Sequence, residues 1–147
     1  LHIAAHGKFV REQPGLTGIQ LSDDDVFSLE DIFDCKGIQG IEHIALTSCW
    51  AADNFLLPGR WVLSLPESFV RNGAKGVLGC LWEVNDQFSV PFMKNYYTHL
   101  SNYPPDKALQ LTQLEAINNE LGYNTEPGQV KLWAGYKFHG NSLKTIF

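Results

Sequence analysis

The stretch IALTSCWAAD, residues 44–53, is an apolar run that stops at Cys49 among small and polar residues. An earlier run, LHIAAHG at residues 1–7, stops in the same way at His6, which a glycine follows. Short apolar runs bounded by turn residues are typical of buried strands. The two segments therefore raise one question: whether Cys49 and His6 are core residues at strand ends, or a nucleophile and its base.

Apolar runs and helix-like patterns alternate along the rest of the chain. Strands are predicted at residues 1–5, 18–22, 42–47 and 74–82, with a closing strand within 132–140. Helices are predicted at residues 29–35, 65–72, 86–100 and 106–121, with Ser28 and Ser64 as N-caps of the first two. Residues 51–60 are predicted to form a loop. Strands separated by helices indicate an α/β sandwich in which helices flank a mostly parallel sheet.

Two of these helices carry apolar stripes that predict their buried faces. In the first, the stripe is Phe88, Phe92, Tyr96 and Leu100. In the second, the apolar positions are Leu109, Leu111, Leu114 and Ile117. Both helices are therefore expected to pack on the sheet.

Length and composition fit one domain. The chain has 147 residues, 44% of them hydrophobic, and a formal charge of −5 without any basic run, so no direct nucleic-acid contact is expected. No apolar stretch approaches the roughly 18 residues that a membrane span needs. Three cysteines without a CxxC spacing favour a reducing, cytoplasmic setting and indicate no metal site. Because the sequence opens inside a predicted strand, residues 1–147 are expected to be the C-terminal portion of a larger domain.

Three segments with chemically useful side chains each follow a predicted strand. They are His6, Cys49 and the segment 83–86, and the carboxyl ends of parallel strands share one edge of a sheet. A cysteine attacks as the thiolate, and a neighbouring imidazole removes or holds its proton. The backbone N–H groups of Gly7 and Cys49 are predicted to hold a developing oxyanion.

Taken singly, these residues also have an ordinary structural explanation. A lone cysteine at a strand end is more often a small buried hydrophobe, and a His-Gly pair usually forms a turn. Cys35 and Cys80 fall within a predicted helix and a predicted strand and are interpreted as packing residues. The joint occurrence of His6 and Cys49 at successive strand ends favours catalysis, although the pattern alone leaves both explanations open.

Other chemistries fit the sequence less well. A tyrosine phosphatase loop needs an arginine where Phe55 stands. The sequence has no G-x-S-x-G elbow of a serine hydrolase and no G-x-G-x-x-G or Walker loop for nucleotides. Cysteine chemistry at the predicted edge therefore remains the leading hypothesis.

Five segments resemble a known family in order along nearly the whole chain. They are HIAAHG (2–7), IALTSCWAAD (44–53), LPESFVRNGAKGVLGCLWEVND (65–86), DKALQLTQLEAI (106–117) and WAGYKFHG (133–140). Together they resemble the CHAT domain of the caspase-like cysteine peptidases, and VLGCLWEVND (77–86) is also similar to separase. The strings HG, SC and LW-x-V-x-D are weak individually and specific jointly.

The resemblance implies a caspase-hemoglobinase fold and peptide-bond hydrolysis without a cofactor. The family's histidine corresponds to His6 and its nucleophile to Cys49, and residues 81–86 help to line the pocket for the side chain before the cut. CHAT domains usually follow a TPR or another scaffold, which would precede residue 1. Some TPR-CHAT proteins are proteases of bacterial antiviral defence that partner CRISPR effector complexes, so the resemblance also implies a protein substrate and an activating partner.

Two substrate pockets remain open from the residues. Glu83 and Asp86 would provide a carboxylate that favours Arg or Lys before the cut, unless Asp86 only caps the following helix. An apolar pocket built with Trp50, Trp82 or Phe88 is the alternative, and Trp50 would then narrow or gate the cleft.

A rival class is an inactive caspase-like scaffold. In that case the apolar segment from Phe55 to Trp61 docks a partner protein, and His6 and Cys49 have no catalytic role.

Overall fold

The computed structural model describes residues 1–8, 10, 12–47, 55–57, 61–82, 84, 86–118, 120–121 and 130–142. The strands are β1 (His2–Ile3), β2 (Gly7–Lys8), β3 (Gly18–Gln20), β4 (Val26–Ser28), β5 (Ile44–Leu46), β6 (Phe55–Leu57), β7 (Trp61–Leu63), β8 (Gly76–Cys80) and β9 (Tyr136–Gly140). The helices are α1 (Leu29–Asp34), α2 (Leu65–Arg71), α3 (Asp86–Leu100), α4 (Pro105–Ile117) and α5 (Val130–Trp133), with 3-10 turns at Pro14–Leu16 and Lys36–Ile38. None of the described helices is long and apolar enough to cross a membrane.

The main sheet has four strands in the order β1-β5-β8-β9. The first three are parallel and β9 joins the far edge antiparallel, so the predicted mostly parallel sheet is confirmed. No described strand pairs with the free side of β1. The expectation of earlier strands before residue 1 stays a prediction.

Two small antiparallel sheets accompany the main one. Strands β2, β3 and β4 form the first, which follows β1 directly and leads into α1. Strands β6 and β7 form the second. The prediction of a loop over residues 51–60 is therefore wrong at residues 55–57, which form a strand because residues 61–63 pair with them antiparallel.

Side chains of the central strands alternate between two cores. Ile44, Leu46 and Val77 pack in one cluster with α1 and α2. Ala45 and Leu78, one residue along each strand, pack in the other cluster with α3 and α4. Because successive side chains of a strand point to opposite faces, these buried strands require helices on both sides. The predicted sandwich is confirmed.

Both predicted N-caps hold the starts of their helices. The Ser28 hydroxyl accepts from the Asp31 N–H at 3.2 Å while the Asp31 carboxylate accepts from the Ser28 N–H at 2.8 Å, which is a capping box. The Ser28 hydroxyl also donates to the Asp31 carboxylate at 2.6 Å, and this bond, together with the one from the Ser28 N–H, lowers the pKa of Asp31. Ser64 accepts from the Glu67 N–H at 3.4 Å and starts α2. The first cap fixes the direction of the chain from β4 into α1.

The stripe predicted for α3 is confirmed, whereas the one predicted for α4 is only partly right. Leu114 is 47% exposed and Ile117 is 50% exposed. The buried face of α4 instead contains Ala108, Thr112 and Ala116, together with Leu109. Ala108 and Ala116 pack in the same cluster as the buried face of α3, whereas Leu114 and Ile117 lie on the other side of α4.

Candidate active site

A cavity of about 430 Å³ lies at the carboxyl ends of β1 and β5. Its lining comes from the end of β1, from the residue after β5, and from the first turns of α3. The lining residues are His2, Ala4, Ala5, His6, Thr47, Asp86, Ser89, Val90 and Met93. The cavity thus brings His6 and Asp86, two residues singled out in the sequence, to one edge of the sheet.

His6 lies where the chain leaves the main sheet for the small one. Its backbone carbonyl accepts from the Gln20 N–H at 2.8 Å, which fixes the peptide against β3. Its side chain is exposed and lines the cavity. The His6 imidazole is therefore accessible at the cavity, on a backbone that is hydrogen-bonded to β3.

The backbone of Gly7 directs its N–H away from the neighbouring strand. Gly7 pairs with Ile19 in antiparallel register, and the pair beside it is bonded through the His6 carbonyl and the Gln20 N–H. In an antiparallel ladder, bonded and non-bonded pairs alternate, so Gly7 and Ile19 form a non-bonded pair. The Gly7 N–H therefore points to the side of β2 on which no described strand pairs with it.

The parallel register of β1 and β5 relates the two predicted catalytic positions. Ile3 pairs with Leu46, a separation of 43 residues (46 − 3), and His2 pairs with Ala45 at the same separation. His6 and Cys49 are separated by the same number of residues (49 − 6). Each of them follows its own strand by three residues.

Three predicted site residues, Cys49, Trp50 and Glu83, lie outside the described residues. Thr47, two residues before Cys49, is described and lines the cavity. The chain therefore reaches the cavity wall just before the predicted nucleophile.

A contact that the sequence analysis missed joins β1 and β5 at this edge. Nε2 of His2 lies 3.1 Å from Oγ1 of Thr47, and the Thr47 N–H donates to the Ile3 carbonyl at 3.1 Å. The His2 ring packs against Tyr97, with centroids 5.7 Å apart. Although His2 as a residue is exposed, partial desolvation of its ring lowers its pKa below 6.5. A polar pair spaced across parallel strands leaves no periodic signal in a single sequence.

Helix α3 presents a second face to the cavity. Asp86, Ser89, Val90 and Met93 have the i, i+3, i+4, i+7 spacing of one helical face. The side chains at the two ends differ in kind, because Asp86 is an exposed carboxylate in the first turn whereas Met93 is buried. The wall therefore combines a negative charge with an apolar surface.

Neither Trp82 nor Phe88 is among the residues that line the cavity. The indole N–H of Trp82 donates to the Lys131 carbonyl at 2.5 Å, and its ring lies beside Gly135. Phe88 is 3% exposed and packs against Phe92 in the core. Phe88 therefore does not contribute to the predicted apolar pocket, because the helical turn directs its side chain to the core. The part of that prediction that rests on Trp50 stays a prediction.

The thiols of Cys80 and Cys35 pack within the fold, away from the cavity lining. Cys80 is buried in β8, and its thiol donates to the Trp82 carbonyl at 3.0 Å. Cys35 is half-buried against the core cluster of α1 and α2. Within the described part of the chain, no group of three or more His, Cys, Asp or Glu residues could hold a metal ion.

The fold and this edge define an α/β sandwich of the caspase-like class, with a cleft of mixed polar and apolar lining at the carboxyl ends of its parallel strands. The sequence profile of the CHAT domain matches residues 1–141. The chain belongs to the CHAT domain family, which is related to the caspase-like peptidases. No curated protein matches the sequence significantly.

Proposed function

We propose that this protein is a cysteine endopeptidase in which Cys49 is the nucleophile and His6 is the acid and base. The observation that carries the proposal is the register of β1 and β5. Ile3 is paired with Leu46, and His6 and Cys49 each follow their strand by three residues. Because each residue lies three positions beyond one of two paired residues on neighbouring parallel strands, a short distance between the two side chains is favoured.

The proposed reaction has two stages. The Cys49 thiolate forms a bond to the carbonyl carbon of the peptide, and the C–N bond breaks as the His6 imidazolium gives its proton to the departing amine. His6 then takes a proton from a water molecule, whose oxygen attacks the thioester. The C–S bond breaks, which releases the acid and restores the thiolate and imidazolium pair.

A donor for the negative oxygen of each intermediate is proposed at Gly7, with the N–H of Cys49 as the second. The Gly7 N–H points away from β3 and is held there by the ladder that includes the His6 carbonyl. A fixed N–H dipole needs no reorganisation as charge develops on the oxygen. This supports Gly7 as an oxyanion donor.

The substrate is proposed to be a protein with Arg or Lys before the cut. Asp86 lines the same cavity as His6, and Val90 and Met93 extend the wall beside it. A long basic side chain would place its methylene groups on the apolar surface and its charge near the carboxylate. Glu83 is proposed to add to this charge. Control by a TPR scaffold or an activating partner remains part of the proposal.

Electrophile labelling of Cys49 tests the enzyme against the scaffold. Iodoacetamide alkylation of the 147-residue chain is followed by peptide mass spectrometry, with Cys35 and Cys80 as internal references. We expect Cys49 to react much faster than Cys35 at pH 7 and to lose that advantage in His6→Ala, because the imidazole maintains the thiolate. Slow labelling of Cys49 that is independent of His6 would favour the scaffold that docks a partner through Phe55–Trp61.

A second experiment tests turnover itself. Cys49→Ala is expected to abolish cleavage of a peptide library while circular dichroism remains that of the unchanged protein. Cys35→Ala is the matched control, since it also removes one thiol, and it should retain cleavage. Full cleavage by the Cys49 variant would remove the proposal.

A further inference from the structure

We propose that His2 and Thr47 are positioning residues, and that their side-chain contact holds β1 in register on β5 and so sets the distance between His6 and Cys49. The inference rests on the proposed function. It assigns a role to two cavity residues that the proposed reaction does not use.

The first observation is that β1 is a weakly held strand. It has only two residues and lies at an edge of the main sheet, paired on one side with β5. Besides the bonds of the strand pairing itself, the Leu1 carbonyl accepts from the Ala45 N–H at 2.9 Å and the Ile3 carbonyl accepts from the Thr47 N–H at 3.1 Å. The terminal ammonium of Leu1 also donates to the His43 carbonyl at 2.9 Å. With only two residues, one exposed and one half-buried, β1 offers little side-chain pattern to fix its register.

The second observation is that Thr47 is held to β1 through its side chain as well. Oγ1 lies 3.1 Å from His2 Nε2 and 3.5 Å from the Ile3 carbonyl. The His2 ring is in turn placed against Tyr97 of α3. The contact therefore connects β5, β1 and α3 at the edge of the cavity.

A change of register would directly alter the proposed catalytic distance. A slip of one residue moves a strand by about 3.3 Å and turns its side chains to the opposite face. Misplacing reacting groups by as little as about 1 Å can reduce a rate about a hundredfold. The side-chain contact holds the segment two residues before Cys49 against such a shift.

Neither residue is fully buried. His2 is exposed and Thr47 is half-buried. Their contact lies on the wall of the cavity that contains His6. We therefore expect its loss to change reactivity at temperatures at which the chain stays folded.

The test compares Thr47→Val with Thr47→Ser in the 147-residue chain. Valine keeps the branched shape of threonine but lacks the hydroxyl, whereas serine keeps the hydroxyl. The rate of Cys49 alkylation by iodoacetamide is measured from pH 5 to 9. In Thr47→Val we expect Cys49 to react about tenfold more slowly at pH 7, with the apparent pKa of its thiol shifted toward the value of about 8.5 of an ordinary cysteine. In Thr47→Ser the rate of Cys49 should stay within about twofold of the rate in the unchanged chain.

His2→Phe is the second variant, because it keeps a ring against Tyr97 and removes the nitrogen. It should reproduce the effect of Thr47→Val, and the double variant should react no more slowly than either single one, since both remove the same contact. His2→Phe decides the question if circular dichroism shows that Thr47→Val is unfolded.

Two results would overturn the inference and are distinguishable. In the first, alkylation of Cys49 in the unchanged chain depends on His6, and the folded variants keep the same alkylation rate and pH profile. The positioning role is then wrong and the proposed function stands. In the second, alkylation of Cys49 in the unchanged chain is slow and independent of His6. The proposed function is then wrong, and so is this inference.

Discussion

His6 and Asp86 line one cavity, although the first follows β1 and the second begins α3. An imidazole and a carboxylate therefore share a cleft whose remaining helical wall is partly apolar.

Asp86→Asn should reduce kcat/KM for peptides with Arg or Lys before the cut. We expect a loss of about 10- to 100-fold, which corresponds to about 1.5–3 kcal/mol for a contact with a charged group. Peptides with an uncharged residue at this position should be affected much less. Asp34→Asn, an equal change of charge at the exposed end of α1, is the control. An unchanged preference for basic residues in the Asp86 variant would remove the carboxylate pocket.

The stability of the protein should depend on pH through His43. This residue is 6% exposed, its Nε2 lies 3.2 Å from the Tyr96 hydroxyl, and burial lowers its pKa from 6.5 to about 4. Between these values the unfolded chain binds a proton that the folded chain does not. The free energy of unfolding should therefore be greatest above pH 6.5, fall by up to about 3 kcal/mol as the pH decreases to about 4, and then level off for this group.

The measurement is urea unfolding of the unchanged chain and of His43→Phe at several pH values from 4 to 8. The phenylalanine variant loses the titrating group, so its curve against pH should be flatter over this range. Parallel curves for the two proteins would show that His43 does not contribute.

Phe92→Ala should destabilise the fold strongly. The Phe92 ring is fully buried and stacks on Tyr136 with centroids 4.1 Å apart, which links α3 to β9. We expect a loss of about 3–5 kcal/mol in the free energy of unfolding, because a cavity replaces the ring. Leu114→Ala, on the exposed side of α4, should cost about 1 kcal/mol or less. Similar losses for the two variants would contradict the observed packing of α4.

Gly18→Ala should destabilise the small sheet behind His6. Gly18 pairs with Ser28, and a methyl group on it would lie 2.7 Å from the Ser28 Cα. Backbone atoms on the neighbouring strand cannot yield without moving β3 from β4, so we expect a loss of about 2–3 kcal/mol. In the control Gly37→Ala the nearest neighbouring atom is the Cys35 sulfur at 3.8 Å, and stability should hardly change. Thermal unfolding of the two variants makes the comparison.

The alternation of elements could be predicted because it depends on local patterns. Continuous apolar runs marked the central strands, and serine followed by acidic residues marked the starts of α1 and α2. The face that α4 buries could not be predicted in this way. Packing against the rest of the fold buries Ala108, Thr112 and Ala116, whereas Leu114 and Ile117 follow the apolar pattern and remain exposed.

The candidate site shows the same division. His6 and Asp86 could be proposed from their positions after strands, because parallel strands end at one edge. Residues that line the cavity without a motif, such as Ser89 and Val90, were missed since the apolar stripe of the adjacent face dominated the pattern of α3. Trp82 was placed in the pocket by its neighbours in sequence, whereas the structure directs its indole to α5.

The sequence by itself determined the class of fold, the order of the strands of the main sheet and of its long helices, the family and the residues that follow the strands. These properties depend on interactions between residues close together in the chain. The tertiary structure decided that Ile3 lies beside Leu46, that His2 meets Thr47, and that one face of α3 closes the cleft. Such relations depend on strand register and helix rotation, which are set by packing between segments far apart in the chain and leave no local trace in either one.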